Sequence, residues 1–148
     1  MPDRFNFGQL TKEMIVSRLR DIQDAPAVAA EIAKKTIVAG VKSTQSSAQS
    51  PQETVQEICS GTMSGLLLIE KDLPRGAVEI LRCLAEAAQE LHIDPSELIT
   101  WAMQGIAKIT PFVTPEMRLN ICCAIEEAYQ GTGEIFTQFC EAESREPR

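Results

Sequence analysis

At 148 residues the chain has the size of one ordinary domain, large enough to bury a core without disulfide or metal staples. Hydrophobic side chains make up 44% and charged ones 24%, which excludes wholesale disorder, and a net charge of −7 speaks against general affinity for nucleic-acid phosphates. Aromatics are only 5%, so the core must be built from Ala, Ile, Leu, Val and Met, a composition suited to closely packed helices rather than to a sheet.

Helix-start signals divide the chain into six segments, predicted at 10–23, 26–44, 51–71, 74–92, 95–110 and 115–141. Asp24-Ala25-Pro26 and Asp72-Leu73-Pro74 are the weaker starts. Ser50-Pro51-Gln52-Glu53 and Asp94-Pro95-Ser96-Glu97 read as capping boxes with proline at the first helical position, and Thr114-Pro115-Glu116 supplies a cap, a proline and an acidic first turn. In each, a short oxygen-bearing side chain accepts from an orphan N–H, and proline has no N–H to leave unpaired.

Apolar spacing agrees with these starts. The second segment carries a stripe of small side chains, Ala29, Ala33, Thr36 and Gly40, and the third carries Gly61 and Gly65 at G-x-x-x-G spacing beside the apolar stripe Val55, Ile58, Thr62, Leu66 and Ile69. Small residues let helix axes approach closely. The fourth is the clearest amphipathic helix, with Ala77, Leu81, Leu84, Ala88 and Leu91 opposite Arg75, Glu79, Arg82, Glu86 and Glu90. The fifth has only a narrow polar stripe and is expected to be central or covered on two sides. The sixth runs Leu119, Cys122, Ile125, Ala128 and Tyr129, then Ile135, Phe136 and Phe139, with Gly131-Thr132-Gly133 able to bend or end it.

The resulting expectation is an all-α helical bundle of five to six helices in a single domain, residues 1–148. A basic N-terminal helical hairpin (1–44) is joined by a flexible polar connection (43–50) to an acidic four-helix unit that forms the main core (51–142). Residues 1–42 hold seven basic and five acidic side chains, and residues 43–148 hold seven basic and sixteen acidic ones. Charge of opposite sign on the two parts favours docking of the first on the second, on another copy, or on an anionic surface.

The chemistry expected is sparse. His92 is the single histidine and falls at the end of the fourth segment, where a cap or surface role outweighs catalysis. Five cysteines, Cys59, Cys83, Cys122, Cys123 and Cys140, include no C-x-x-C and fit reduced thiols better than a disulfide framework or a zinc site. Glu126-Glu127 reads as a solvated helix face. The first residues show no apolar h-region, no segment has the ~18–20 apolar residues of a membrane span, and a cytoplasmic location is expected. No catalytic, cofactor-binding or metal-binding residues are predicted.

Three functions remain. The leading one is a non-enzymatic helical protein-interaction or oligomerisation module whose partner is itself or another protein, with Ala29, Ala33, Thr36, Gly40, Gly61 and Gly65 as the candidate interaction residues. The second is peripheral binding to an anionic membrane or granule surface through Phe5, Phe7, Leu10, Met14 and Leu19 with Arg4, Lys12, Arg18 and Arg20, although the acidic remainder opposes it. The third is a small-ligand site lined by Trp101, Met103, Phe112 and Tyr129, with Arg118 orienting a carboxylate.

Overall fold

Short oxygen-bearing side chains start most of the helices. The computed structural model describes residues 6–44 and 49–145, and these are all-helical. The elements are α1 (Phe7–Leu19), α2 (Ala25–Ser43), α3 (Pro51–Leu68), α4 (Leu73–Leu91), α5 (Pro95–Ala107), a 3-10 turn (Thr110–Phe112), α6 (Pro115–Ala128) and α7 (Gly133–Arg145). Ser50 and Glu53 form the reciprocal capping box, with Ser50 Oγ accepting from the Glu53 amide at 3.1 Å. Asp72 accepts from the Arg75 amide and Thr114 from the Met117 amide, each at 3.0 Å.

Three starts differ from expectation. Asn6 accepts from the Gln9 amide at 2.9 Å, so α1 begins at Phe7 instead of residue 10, and it ends at Leu19 instead of residue 23. Asp94 turns chiefly to the amide and hydroxyl of Ser96, at 2.9 and 2.7 Å, so the box predicted with Glu97 is replaced by a tighter local turn. Asp24 makes no cap bond because its carboxylate pairs with Arg75 at 2.6 Å.

The described residues hold seven α-helices where five to six were expected, because the segment read as 115–141 is two helices. Tyr129 leaves the helix with extended φ and ψ, and Gly131 takes φ +91°, a conformation that suits glycine. The acidic part read as four helices is therefore α3 to α7. Of the flexible connection predicted at 43–50, residues 45–48 lie outside the described residues; Ser43 closes α2 and Ser50 caps α3.

Helices two places apart in the chain make the largest contacts: α1 on α3, α2 on α4 and α3 on α5. The pattern continues with α4 on α6 and α5 on α7, which places the helices in two rows, α1-α3-α5-α7 and α2-α4-α6. Contacts of α2 with α3, α3 with α4 and α4 with α5 join the rows. Each element therefore meets only near neighbours, as in short helical stacks. The basic hairpin is part of the same stack, with α1 laid on α3 and α2 on α4.

Burial follows the rows. Val55, Ile58, Cys59, Thr62, Met63 and Leu66 bury α3 on several sides. On α4 the predicted face, Ala77, Leu81, Leu84 and Ala88, is buried, and Leu91 is half-buried. On α6 the core line is Ile121 and Ile125, while Leu119, expected on the apolar stripe, is 61% exposed. The buried hydroxyls of Thr11, Thr62 and Thr110 donate to backbone carbonyls within their own turns, at 2.7, 2.8 and 2.7 Å, so burial leaves them paired.

Glycine sets how closely the odd row packs. A Cβ at Gly61 would collide with the backbone carbonyl of Gly8 on α1, and one at Gly65 would lie 2.6 Å from the Ile15 Cβ. On the other side of α3, a Cβ at Gly105 of α5 would lie 2.5 Å from the Gln56 carbonyl oxygen. At Gly40 the nearest atom is the Thr54 methyl at 3.1 Å. Backbone cannot give way as a side-chain end can, so Gly61→Ala is expected to lower unfolding stability by about 1–3 kcal/mol. Gly40→Ala should lower it by less. Denaturant titration of the two variants checks this, and equal stabilities would contradict the packing described.

Candidate functional site

The α6–α7 corner is built by a turn that a carboxylate holds. Both oxygens of Glu126 accept from the Gly131 amide, at 2.9 and 3.1 Å, and Oε1 also accepts from the Gly133 amide at 2.9 Å. The Thr132 hydroxyl donates to the Tyr129 carbonyl oxygen at 2.5 Å. Glu126 is exposed, as a solvated face requires, yet its head group fixes one amide of the turn and the first amide of α7, a role the pair Glu126-Glu127 does not announce in the sequence.

This turn folds α7 back along α6 and leaves a cleft of about 230 Å³ lined by Pro115, Arg118, Leu119, Cys122, Thr137 and Cys140. Four of these residues fall at i, i+3, i+4 and i+7 on α6, one helical face. The Cys122 thiol donates to the Gly133 carbonyl oxygen at 3.3 Å and lies 3.2 Å from the Thr137 hydroxyl. Cys140 is 1% exposed, and burial pushes its thiol up, with the Thr110 hydroxyl and the Arg118 cation pulling the other way by less. Cys59, in the core, is pushed up to about 12 by burial alone. Protonated thiols of this kind are poor nucleophiles.

Two further grooves are open and polar. One, between α4 and α6, runs past Arg75, Glu79, Arg82 and Glu127. Its cations are engaged: Arg75 with Asp24, and Arg82 with Glu79 at 3.5 Å. The other lies beside the α1–α3 crossing, with Lys12, Ser60, Ser64 and Lys108 on its walls. Lys108 pairs with Glu143 of α7 at 3.5 Å.

The structure places the sequence-derived candidates as follows. Ala29, Ala33, Gly40, Gly61 and Gly65 are buried inside the chain, and Thr36 is half-buried with its hydroxyl on the Ile32 carbonyl at 2.7 Å. The small stripe is thus covered by the chain's own helices. Trp101, Met103, Phe112, Arg118 and Tyr129 do not assemble into one pocket. Met103 is 3% exposed in the core, Phe112 stands 65% exposed on the 3-10 turn, and Tyr129 faces the Glu79, Arg82 and Cys83 region of α4. Arg118 alone among them lines the cleft. Pro115, Leu119, Thr137 and Cys140 are site residues that the sequence reading missed. Their helical spacing was visible, but the partner face was not.

On α1, Phe7 and Leu19 are buried against the bundle and Met14 is half-buried, whereas Leu10 is exposed, so most of the apolar face offered to a membrane surface is covered; Arg4 and Phe5 lie outside the described residues. No helix among the described residues is long and apolar enough to cross a membrane. His92 is exposed at the end of α4 with φ 56°, and no three His, Cys, Asp or Glu side chains among the described residues are grouped to hold a metal ion.

Comparison of the chain with protein-family models, with curated proteins and with solved structures gives no match.

The Gly131 amide, and next the Gly133 amide, hold the Glu126 carboxyl below its ordinary value of 4.5. A lowered folded-state value means that the contact stabilises fully above that ordinary value and is lost as pH falls through the folded one. Wild type should therefore exceed Glu126→Gln in unfolding stability at neutral pH, and the gap should close in acid below 4.5. Denaturant titrations across that range test the turn; a gap independent of pH would show that the charge does not hold it.

Proposed function

We propose that the chain is a non-enzymatic helical module that binds another protein chain, and that its binding face is the α6–α7 corner. The observation that carries this reading is the exposure of two large apolar side chains there: Phe112 at 65% and Leu119 at 61%. They lie seven residues apart around the start of α6, and Leu119 also lines the cleft. A single exposed apolar side chain needs no explanation, but two of this size beside a cleft suit the apolar centre of a protein interface.

Other features lean the same way. Trp101, Met103, Phe112, Arg118 and Tyr129 do not come together around one cavity, which weakens the receptor reading. The buried Cys140 thiol is held protonated, and the only histidine stands alone on a helix end, so no nucleophile–base pair is assembled at the corner. An interfacial role for α1 would require it to leave α3, its main packing partner.

A photoreactive side chain placed at residue 119 in cells that make the protein tests the face directly. Irradiation should yield covalent adducts with a second polypeptide, and the same group at residue 90, exposed near the end of α4, should yield few. Equal adduct formation at the two positions, or none at 119, would remove the corner as a binding face.

A further inference from the structure

Exposed apolar side chains are concentrated at the two open ends of the stack. Among the described residues, the large hydrophobic side chains left exposed are Leu10, Ile22, Val28, Leu68, Phe112, Leu119 and Ile135. Leu10, Ile22 and Val28 belong to the α1–α2 end. Phe112, Leu119 and Ile135 belong to the α6–α7 end, since the 3-10 turn packs on α7. Leu68, at the end of α3, is the exception. In a helical stack the terminal faces are the ones that need a polar outer surface to stay single, and here both carry apolar side chains at 38–65% exposure.

Charge separates along the same axis. At the α1–α2 end, Arg18, Arg20, Lys35 and Lys42 are exposed and engage no ion pair. The acids of that end are fewer in effect, because Asp24 is taken by Arg75 and Glu31 lies 4.0 Å from Lys34, leaving Glu13 and Asp21 among the described residues. At the α6–α7 end, Glu116, Glu127 and Glu134 are exposed without an ion pair, and Arg118 is the one cation on α6. These two ends do not pack on each other within one molecule: α1 and α2 meet α3 and α4, whereas α6 and α7 meet α4, α5 and each other. The basic surplus and the acidic surplus are thus left facing solvent at opposite ends of the rows.

We propose that copies of this chain assemble head to tail, the α1–α2 end of one copy seated on the α6–α7 end of the next. The proposal rests on the protein-binding reading of the corner and names its occupant. Apolar side chains from both ends meet at the centre, and unlike charges meet around them, where they set register and attraction more than affinity. Because the two contacting surfaces differ and lie at opposite ends of the rows, the interface is heterologous and extends into an open row of copies or closes as a ring of three or more.

Sedimentation of the purified full chain tests this with two charge reversals at exposed positions, Lys35→Glu at one end and Glu134→Lys at the other. Wild type should pass from monomer to species larger than a dimer as concentration rises through the micromolar range, and raised salt should shift it back. Each reversal alone should weaken association about tenfold or more, because like charges then meet. An equimolar mixture of the two variants should associate again, since native surfaces and doubly reversed surfaces are then both available. Unchanged helical circular dichroism and thermal unfolding of each variant exclude misfolding as the cause.

Growth that stops at a dimer, or association untouched by one of the reversals, would overturn the head-to-tail arrangement. A chain that stays monomeric throughout would also overturn it. In that case, adducts of residue 119 with a different polypeptide would leave the protein-binding reading standing, and their absence would remove both.

Discussion

Everything in this stack depends on how closely backbones approach α3. Gly61 and Gly65 let α1 lie against it, and Gly105 lets α5 approach from the other side. Because α3 also meets α2 and α4, this one helix joins both rows. Close approach multiplies dispersion contacts that are individually small, and that matters in a chain whose core has few aromatic rings to fill space. It also explains why Thr11, Thr62 and their like are tolerated inside: a hydroxyl that folds back on its own carbonyl occupies little width and brings no unpaired donor.

The consequence for function is indirect but physical. A stack held by its centre consumes its small-residue faces internally and leaves its ends to solvent. The corner formed by α6 and α7 is the less tightly integrated end, held by a turn that Glu126 fixes through two glycine amides and by the contact of α7 with α5 and the 3-10 turn. Among the described residues, Phe112, Leu119 and Ile135 remain exposed there. Within the chain, oppositely charged surfaces are kept apart by the same geometry, so their attraction is available between molecules rather than inside one.

Much of the fold was readable from local chemistry. Ser50-Pro51, Asp72-Leu73-Pro74, Asp94-Pro95 and Thr114-Pro115 mark helix starts because capping is a short-range interaction between residues two or three apart. The buried face of α4 was readable because its charged side chains leave only one side for the core. The start at Asn6 is less legible because no proline follows it and a glycine, Gly8, stands in the first turn of α1. The division between α6 and α7 lay in plain view at Gly131-Thr132-Gly133, but a glycine pair permits a bend without requiring a break. What required the break was Glu126 reaching forward five and seven residues, a tertiary fact.

The candidate site was less legible for a related reason. Helical periodicity says that Ala29, Ala33 and Gly40, or Gly61 and Gly65, share a face, and it is silent about which helix covers that face. Leu119 and Ile125 fall on one predicted stripe, yet one is exposed and the other fully buried, because α4 covers only part of α6. Native-state hydrogen exchange measures the central claim most directly. Amides of α3 between Cys59 and Leu66 should be the slowest in the chain and should open only with global unfolding, with α7 exchanging through smaller openings. Slower exchange in α7 or α4 than in α3, or release of α1 and α5 without any effect on α3, would contradict a stack organised around that helix.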